Sequence, residues 1–451
     1  MSDYPGKRRI KRRIKRRSIQ ILFIAQLCRN MLQLDGWFIE VLHPVIGLGV
    51  DQMDPIHAAQ AIQDRIVAWR RQLHSMPEIG LELTNTSRFV RDKLDQMGIP
   101  HKTIAGTGIC ALLAGGRTAG TKNPPTIALR ADMDALILPE ETGLPFAAVS
   151  GNMHACGHDA HTAMLLGAAL ILQQNRAHFA GNVKFIFQPA EEKPGGAKPM
   201  IDGGCLDNPK VDAILGLHVG HLFPEVDNGM IGVRQGATMA SVDRFVVTVT
   251  GRGGHGATPH RCIDPIPVAA EMIGALQRIV SREINPLHPA VLTIGMIHGG
   301  TAFNIITETV RFEGTVRTLD PDDRVFLERR IKEICGAVAL AHRADVACEY
   351  EHYYPVLVND AKMAGEFAES AAKIVGPEKI VTLKEPTLVA EDMSYYLQRT
   401  PGAFFFLGTN NAAKGIVYPN HHPKFDVDED VLWIGSALFV QAVLDFLGAN
   451  A

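Results

Sequence analysis

The chain has 451 residues, 46% of them hydrophobic and 21% charged, with a formal net charge of −3. That length and apolar share exclude a disordered polar chain and fit a folded core large enough for two domains. The near-neutral balance excludes a generally basic nucleic-acid-binding body. The seven cysteines, scattered from Cys28 to Cys348, form neither a disulfide framework nor a zinc-ribbon spacing, so a reducing cytoplasm is the expected compartment.

Residues 1–52 stand apart. Nine of their ten Lys/Arg lie between Lys7 and Arg17, ahead of an apolar run over residues 19–28. Such text suits a signal-like segment, a nucleic-acid tail or a membrane-surface anchor. No small-residue cleavage site follows, however, and periodic helix-like text begins only after Met53. Residues 1–52 are therefore expected to lie outside the fold, with Met53 as a plausible start. No stretch is expected to reach the eighteen or more apolar residues of a spanning helix, and no membrane-embedded body is expected.

From Asp54 onward, Ile56, Ile62, Ile66, Val67 and Trp69 recur at roughly helical spacing behind an Asp-Pro start. Residues 87–97 read as a second helix closed by Gly98. Residues 126–129, 183–187, 211–217 and 403–407 read as apolar strands, and residues 161–174 as a long apolar helix between the first two. Strands alternating with helices predict an α/β fold around a mostly parallel sheet covered on both faces. Near residue 237 the text changes. Residues 242–250, 291–298, 309–318 and 345–350 read as strands and 266–280 and 322–341 as helices, in the β-α-β-β-α-β order of a ferredoxin-like unit. Alternating text resumes after Pro355. The predicted organisation is a discontinuous catalytic domain over 53–237 and 351–451, interrupted by an inserted domain over 238–350.

Ligands in open α/β sheets bind outside the carboxyl ends of the strands. Four predicted strands run into polar residues there: Asp132 and Asp134, Glu191 and Glu192, His218, and, after a loop, His421 and His422. The densest cluster is His154, Cys156, His158, Asp159 and His161. Thiolate and imidazole suit zinc-like ions, and carboxylates extend the choice toward manganese and cobalt. Residues two apart share a face of extended backbone, so Cys156 and His158 can meet one ion from a loop, with Gly157 leaving the turn uncrowded. The bland alternative is a buried cysteine with helix-capping histidines.

Adjacent side chains on extended backbone point opposite ways. One carboxylate of the Glu191-Glu192 pair can thus bind metal while the other acts as base toward the attacking water. Alone, two glutamates suit a solvated loop; their place after an apolar strand and before Gly195-Gly196 reverses that preference. Asp132 and Asp134 can bind metal or hold a ligating histidine by its second nitrogen. His218 alone suits a satisfied buried histidine, and His421-His422 a surface loop.

These residues carry a resemblance. Trp69-Arg-Arg-Gln-Leu-His74, Arg130-Ala-Asp-Met-Asp-Ala-Leu136, His154-Ala-Cys-Gly-His-Asp-Ala-His-Thr162, Gln188-Pro-Ala-Glu-Glu192, Gly216-Leu-His-Val219, Gly253-Gly-His-Gly-Ala257, Gly314-Thr-Val-Arg317 and His421-His-Pro-Lys-Phe425 resemble the aminoacylase and carboxypeptidase metallopeptidases. The branch is that of N-acyl-amino-acid amidohydrolases, which includes hippurate hydrolases and plant auxin-conjugate hydrolases, and the likeness spans Met53 to the end.

The resemblance implies a site for two divalent ions, manganese or zinc with cobalt or nickel as alternatives. Its implied ligands are Cys156, His158, Glu192, His218 and His421, with Glu191 as base and Asp134 as the aspartate that orients a ligand. His255 is implied as an oxyanion-stabilising residue of the inserted lid, often acting across a dimer, and Asn304 and Arg317 as residues near the substrate. The implied activity is hydrolysis of N-acyl-L-amino acids by a homodimer joined through the lid, with no nucleic-acid or membrane partner. Two departures are Thr307, where proline is frequent, and Asn420, where leucine commonly precedes the final histidine. A metallo-exopeptidase cutting short peptides is the competing enzyme reading. A catalytically silent metal-binding scaffold is a further one, and it would show loss of Glu191 or of a ligand.

Overall fold

A computed structural model describes residues 53–118, 120 and 123–450. The expectations for residues 1–52 fall outside them. In chain order the strands are β1 (His101–Ile104), β2 (Gly108–Ala114), β3 (Thr126–Asp132), β4 (Asn182–Gln188), β5 (Ala213–Gly220), β6 (Ile231–Val233), β7 (Gly236–Met239), β8 (Ser241–Thr250), β9 (Gly254–His255), β10 (Ala290–Gly299), β11 (Ile305–Ile306), β12 (Thr309–Thr318), β13 (Asp345–His352), β14 (Leu357–Asn359), β15 (Ile380–Thr382) and β16 (Gly402–Gly408). The helices are α1 (Pro55–Gln60), α2 (Gln63–His74), α3 (Thr84–Met97), α4 (His158–Gln174), α5 (Ala197–Asp202), α6 (Pro265–Arg282), α7 (Pro321–Ala341), α8 (Ala361–Val375), α9 (Met393–Leu397) and α10 (Leu432–Ala449).

The main sheet runs β1-β2-β4-β3-β5-β16-β6-β15. Its centre is parallel, β4 with β3, β3 with β5 and β5 with β16, while antiparallel pairs join β1, β2 and β4 on one side and β6 to β16 on the other. Every residue of β3 is buried. Ile127, Leu129 and Ala131 face one core layer and Ala128 the other, so both faces of the strand are covered and its text is a continuous apolar run rather than an alternation. The first layer takes in α2, α4 and α10, the second α5 and α9.

Three expectations need correction. The first helical stretch is two helices, because α1 ends at Gln60 and α2 begins at Gln63; Ile66, Trp69 and Leu73 form the buried face of α2. The helix expected from His161 begins at His158. Residues 429–449 are long and apolar enough to cross a membrane, contrary to the expectation that no stretch is, but most of their apolar window is buried in the protein, with Leu438, Phe439 and Val443 in the core beside α4 and α8.

The second sheet is antiparallel in the order β10-β12-β8-β13, covered by α6 and α7 over a separate core of Phe245, Val247, Leu276, Phe312 and Ile331. The predicted β-α-β-β-α-β order is met, and because β15 and β16 of the main sheet follow it in sequence, this unit is inserted. Chain entry and exit lie side by side: β7 pairs with β14, the Val242 amide donates to the Tyr354 carbonyl at 3.0 Å, and the Tyr353 amide to the Val242 carbonyl at 3.2 Å.

Candidate active site

Strands β3, β4 and β5 are parallel neighbours, with Asp132 opposite Gln188 and Arg130 opposite Gly216. Their carboxyl ends therefore deliver Asp132–Asp134, Glu191–Glu192 and His218 to one edge of the sheet. Cys156 and His158 come from the N-terminal end of α4, and the backbone between them is not extended. Gly157 is left-handed, at φ 87°, and His158 is the first residue of the helix. A turn, rather than a strand-like face, points both side chains inward.

The donor atoms of Cys156, His158 and His218 lie within 4.8 Å of one another, as do those of Cys156, Glu192 and His421, and those of His158, Glu191 and Glu192. All five expected ligands and Glu191 are thus brought together, and Cys156 belongs to two of the groups. The Cys156 Sγ is 3.4 Å from His218 Nε2, and His421 Nε2 is 3.0 Å from Glu192 Oε1.

Two of the three histidines are anchored through Nδ1. His158 Nδ1 lies 3.0 Å from the Asp134 carbonyl and His218 Nδ1 lies 2.6 Å from the Val219 carbonyl, so each donates from Nδ1 and turns the lone pair of Nε2 into the site. His158 Nε2 is buried and has no hydrogen-bond partner. The buried Glu192 Oε1 accepts no well-directed hydrogen bond either, although His421 stands close. Orphaned nitrogen and carboxylate beside a thiol are costly to bury unless a cation takes them up. The donor set fits divalent ions.

Asp134 accepts from the amides of Glu191 at 2.9 Å and Glu192 at 3.0 Å, which orients both glutamates, while the Tyr354 hydroxyl holds the Glu191 carbonyl at 2.5 Å. Ala190 before them is left-handed, at φ 57°. Burial pushes Glu191 well above the usual carboxylate range, and the neighbouring Glu391, Glu192 and Asp392 push the same way. Asp132 goes the other way. Burial would raise it, but the neighbouring His158 and Arg130 and the hydrogen bond from His161 hold it well below that range. His161 accepts the Val219 amide on Nε2, so its Nδ1 donates to Asp132 at 2.6 Å and the ring supports rather than ligates.

Several contributors carry no sequence assignment. Arg130, fully buried, contacts Asp132 at 2.7 Å, Asp392 at 2.8 Å and Glu391 at 3.0 Å, and Asp392 also accepts from Gln188 and from the Gly196 and Ala197 amides. The available signal was an arginine inside an otherwise apolar strand. Burial raises Glu391 to about 8 and Asp392 to about 6, against the pull of Arg130. Asp159 faces away, to Arg70 and His74, each at 2.8 Å.

A cavity of about 380 Å³ opens from Glu191, Glu192 and His421 toward the inserted unit, whose Arg317 and Val242 line it together with Tyr353, Tyr354 and Val389. Among the described residues, the Arg317 guanidinium hydrogen-bonds there to the Leu388 carbonyl alone, at 3.4 Å. His255 and Asn304 are exposed on the β9–β11 ribbon, and among the described residues no hydrogen bond or ion pair joins them to this site.

Peptidase family M20/M25/M40 matches residues 128–445. The thermostable carboxypeptidase 1 of Saccharolobus solfataricus is 41% identical over 83% of this chain and 93% of its own length. The N-acetyl-L-cysteine deacetylase of Bacillus subtilis is 37% identical over 93% of this chain and 98% of its own. The crystal structure of the YxeP protein of Bacillus subtilis, a dinuclear metal-binding peptidase, superposes with a TM-score of 0.74 at 34% identity, covering 86% of this chain and 99% of that one.

Proposed function

The chain belongs to peptidase family M20/M25/M40, metal-dependent hydrolases of amide bonds, and from that premise we propose that it hydrolyses N-acyl-L-amino acids to a carboxylic acid and an amino acid. The observation that carries this reading is the cavity joining the glutamate pair to Arg317. It has a guanidinium for the substrate's free carboxylate, apolar walls of Val242, Val389 and two tyrosines for the acyl group, and no lining carboxylate beyond Glu191 and Glu192. A free peptide would need another anion for its ammonium group.

Cys156, His158, Glu192, His218 and His421 would hold two divalent ions, manganese or zinc in the first instance and cobalt or nickel as alternatives, with Cys156 common to both. When bound, such ions polarise the scissile carbonyl and lower the pKa of water. Glu191, whose carboxylate leans toward the proton, takes one from the attacking water and returns it to the leaving amine nitrogen. Asp134 and Tyr354 keep its main chain in place at both ends of the residue. Arg317 fixes the substrate carboxylate, which orients the amide over Glu191. The homodimer belongs to the same proposal. It is supported by the edge strand β10, whose Met296 and Ile297 are exposed, and by the fully exposed Phe303 next to Asn304. A second copy covering that surface would give His255 and Asn304 their roles across the interface.

The deciding experiment loads metal-free protein with manganese, zinc, cobalt or nickel in turn and compares hippurate and N-acetyl amino acids with a dipeptide panel. Preference for the acyl amino acids by kcat/KM is expected. Faster cleavage of dipeptides would overturn the substrate assignment in favour of an exopeptidase.

A further inference from the structure

Resting on the ligand set proposed above, we propose that Asn420 is a positioning residue that holds the Cys156 thiolate and joins three ligand-bearing segments of the centre. Its carboxamide is shared among them. The Oδ1 accepts the His221 amide at 3.0 Å, fastening the end of β5 just beyond His218. The Nδ2 donates toward the Cys156 carbonyl at 3.3 Å, the Val219 carbonyl at 3.3 Å and the Cys156 Sγ at 3.9 Å. The next residue, His421, donates its amide to the Ala155 carbonyl at 2.8 Å. One side chain thus binds the loop that carries Cys156, the strand end that carries His218 and the loop that carries His421.

Two backbone features fit this role. Gly220 has φ 112°, and a Cβ there would fall 2.3 Å from Asn420 Oδ1 and 2.5 Å from Nδ2, so the glycine makes the space that the carboxamide fills. His421 is left-handed at φ 67°, which turns its ring toward Glu192. Such a conformation is strained for a non-glycine residue, and the bonds on either side hold it. Leucine, the residue common at this position in the resembling family, has similar bulk but neither donor nor acceptor. It would leave the His221 amide without Oδ1 and the thiolate without an N–H neighbour. Partners that orient a ligand and take up its charge alter metal affinity about 10–100-fold when removed.

The test uses the full chain, stripped of metal and titrated with Co²⁺, as wild type, Asn420→Leu and Asn420→Ala. The alanine variant removes the carboxamide without adding bulk at a partly exposed position, so folding is kept; far-ultraviolet circular dichroism checks it. Affinity is read by competition with a chromophoric chelator, and the thiolate by its sulfur-to-cobalt absorption band. Both variants are expected to bind Co²⁺ about 10–100-fold more weakly. Their band moves to longer wavelength, because a thiolate that loses an N–H donor gives up its electrons more readily. A merely structural loop residue would leave that band in place. Wild-type affinity with an unmoved band overturns the role of Asn420, whereas no sulfur-to-cobalt band in the wild type removes Cys156 from the ligand set itself.

Discussion

Gly157→Ala puts the turn between Cys156 and His158 to the test. At φ 87° the residue lies in left-handed space, and an added Cβ would sit 2.4 Å from Val219 Cγ2 and 3.6 Å from the Phe425 ring. Left-handed alanine costs about 1–2 kcal/mol. Val219 is buried on β5 beside His218, so the overlap is relieved only by moving core, for about 1–3 kcal/mol more. The total of about 2–5 kcal/mol is a large share of the roughly 5–15 kcal/mol by which proteins are stable. Urea unfolding of the metal-free protein, followed by fluorescence of Trp69 and Trp433 in the catalytic core, reads the loss as a lower midpoint at unchanged slope. Because Val219 carries His218 with it, metal stoichiometry should also fall. A loss below about 0.5 kcal/mol with full metal content would refute the reasoning, since changes that small belong to unconstrained surface positions.

Glu191→Gln should keep its metal and lose about 10²–10⁴-fold in kcat; elemental analysis beside single-turnover rates checks both, and near wild-type turnover would remove Glu191 as base. Cys156→Ser should bind less metal, and full occupancy by elemental analysis would remove the thiolate from the ligands. Arg317→Met should raise KM about 10–100-fold, the worth of a charged hydrogen bond of about 1.5–3 kcal/mol, with a smaller change in kcat; an unchanged KM would place the substrate carboxylate elsewhere. His74 gives a pH dependence of stability. Burial pulls its pKa down, but hydrogen bonds to Asp159 and Glu140 outweigh that and raise it to about 9. The folded value lies above the unfolded one of about 6.5. Its contribution of roughly 3 kcal/mol is therefore fully present below about pH 6.5 and lost as pH rises through about 9. Denaturation of wild type and His74→Gln across that window should show the gap between them closing, and parallel curves would contradict it.

Where pattern is local, the sequence is legible. The β3, β4, β5 and β16 strands read as apolar runs because both their faces are covered, and the inserted unit reads as alternation because its sheet has one open face. The edge strand β1 escapes such reading: it has four residues, none of them fully buried. The helix from Leu432 is uniformly apolar, so its text resembles a membrane span, and only its packing against α4 and α8 shows it to be core. The break at Ala61 is hidden because Ile56, Ile62 and Ile66 keep helical spacing across it.

The residue types at the strand ends, their order, and the Cys-Gly-His and Glu-Glu pairs are properties of the linear text, since they depend on periods of two and 3.6 residues and on neighbours a few positions away. Which of them meet was decided by register. Asp134 reaches the amides of Glu191 and Glu192 only because β3 and β4 are parallel neighbours, and Arg130 meets Glu391 and Asp392 across some 260 residues of chain. The same packing settled which nitrogen of His158 and His218 faces the site, made a turn of the segment around Gly157, drew Asn420 over Gly220, and set Arg317 in the wall of the cavity that the glutamates also line while leaving His255 and Asn304 on an exposed ribbon. Pairing between distant segments follows from burying shared apolar faces, a condition on the whole chain that no local stretch of sequence contains.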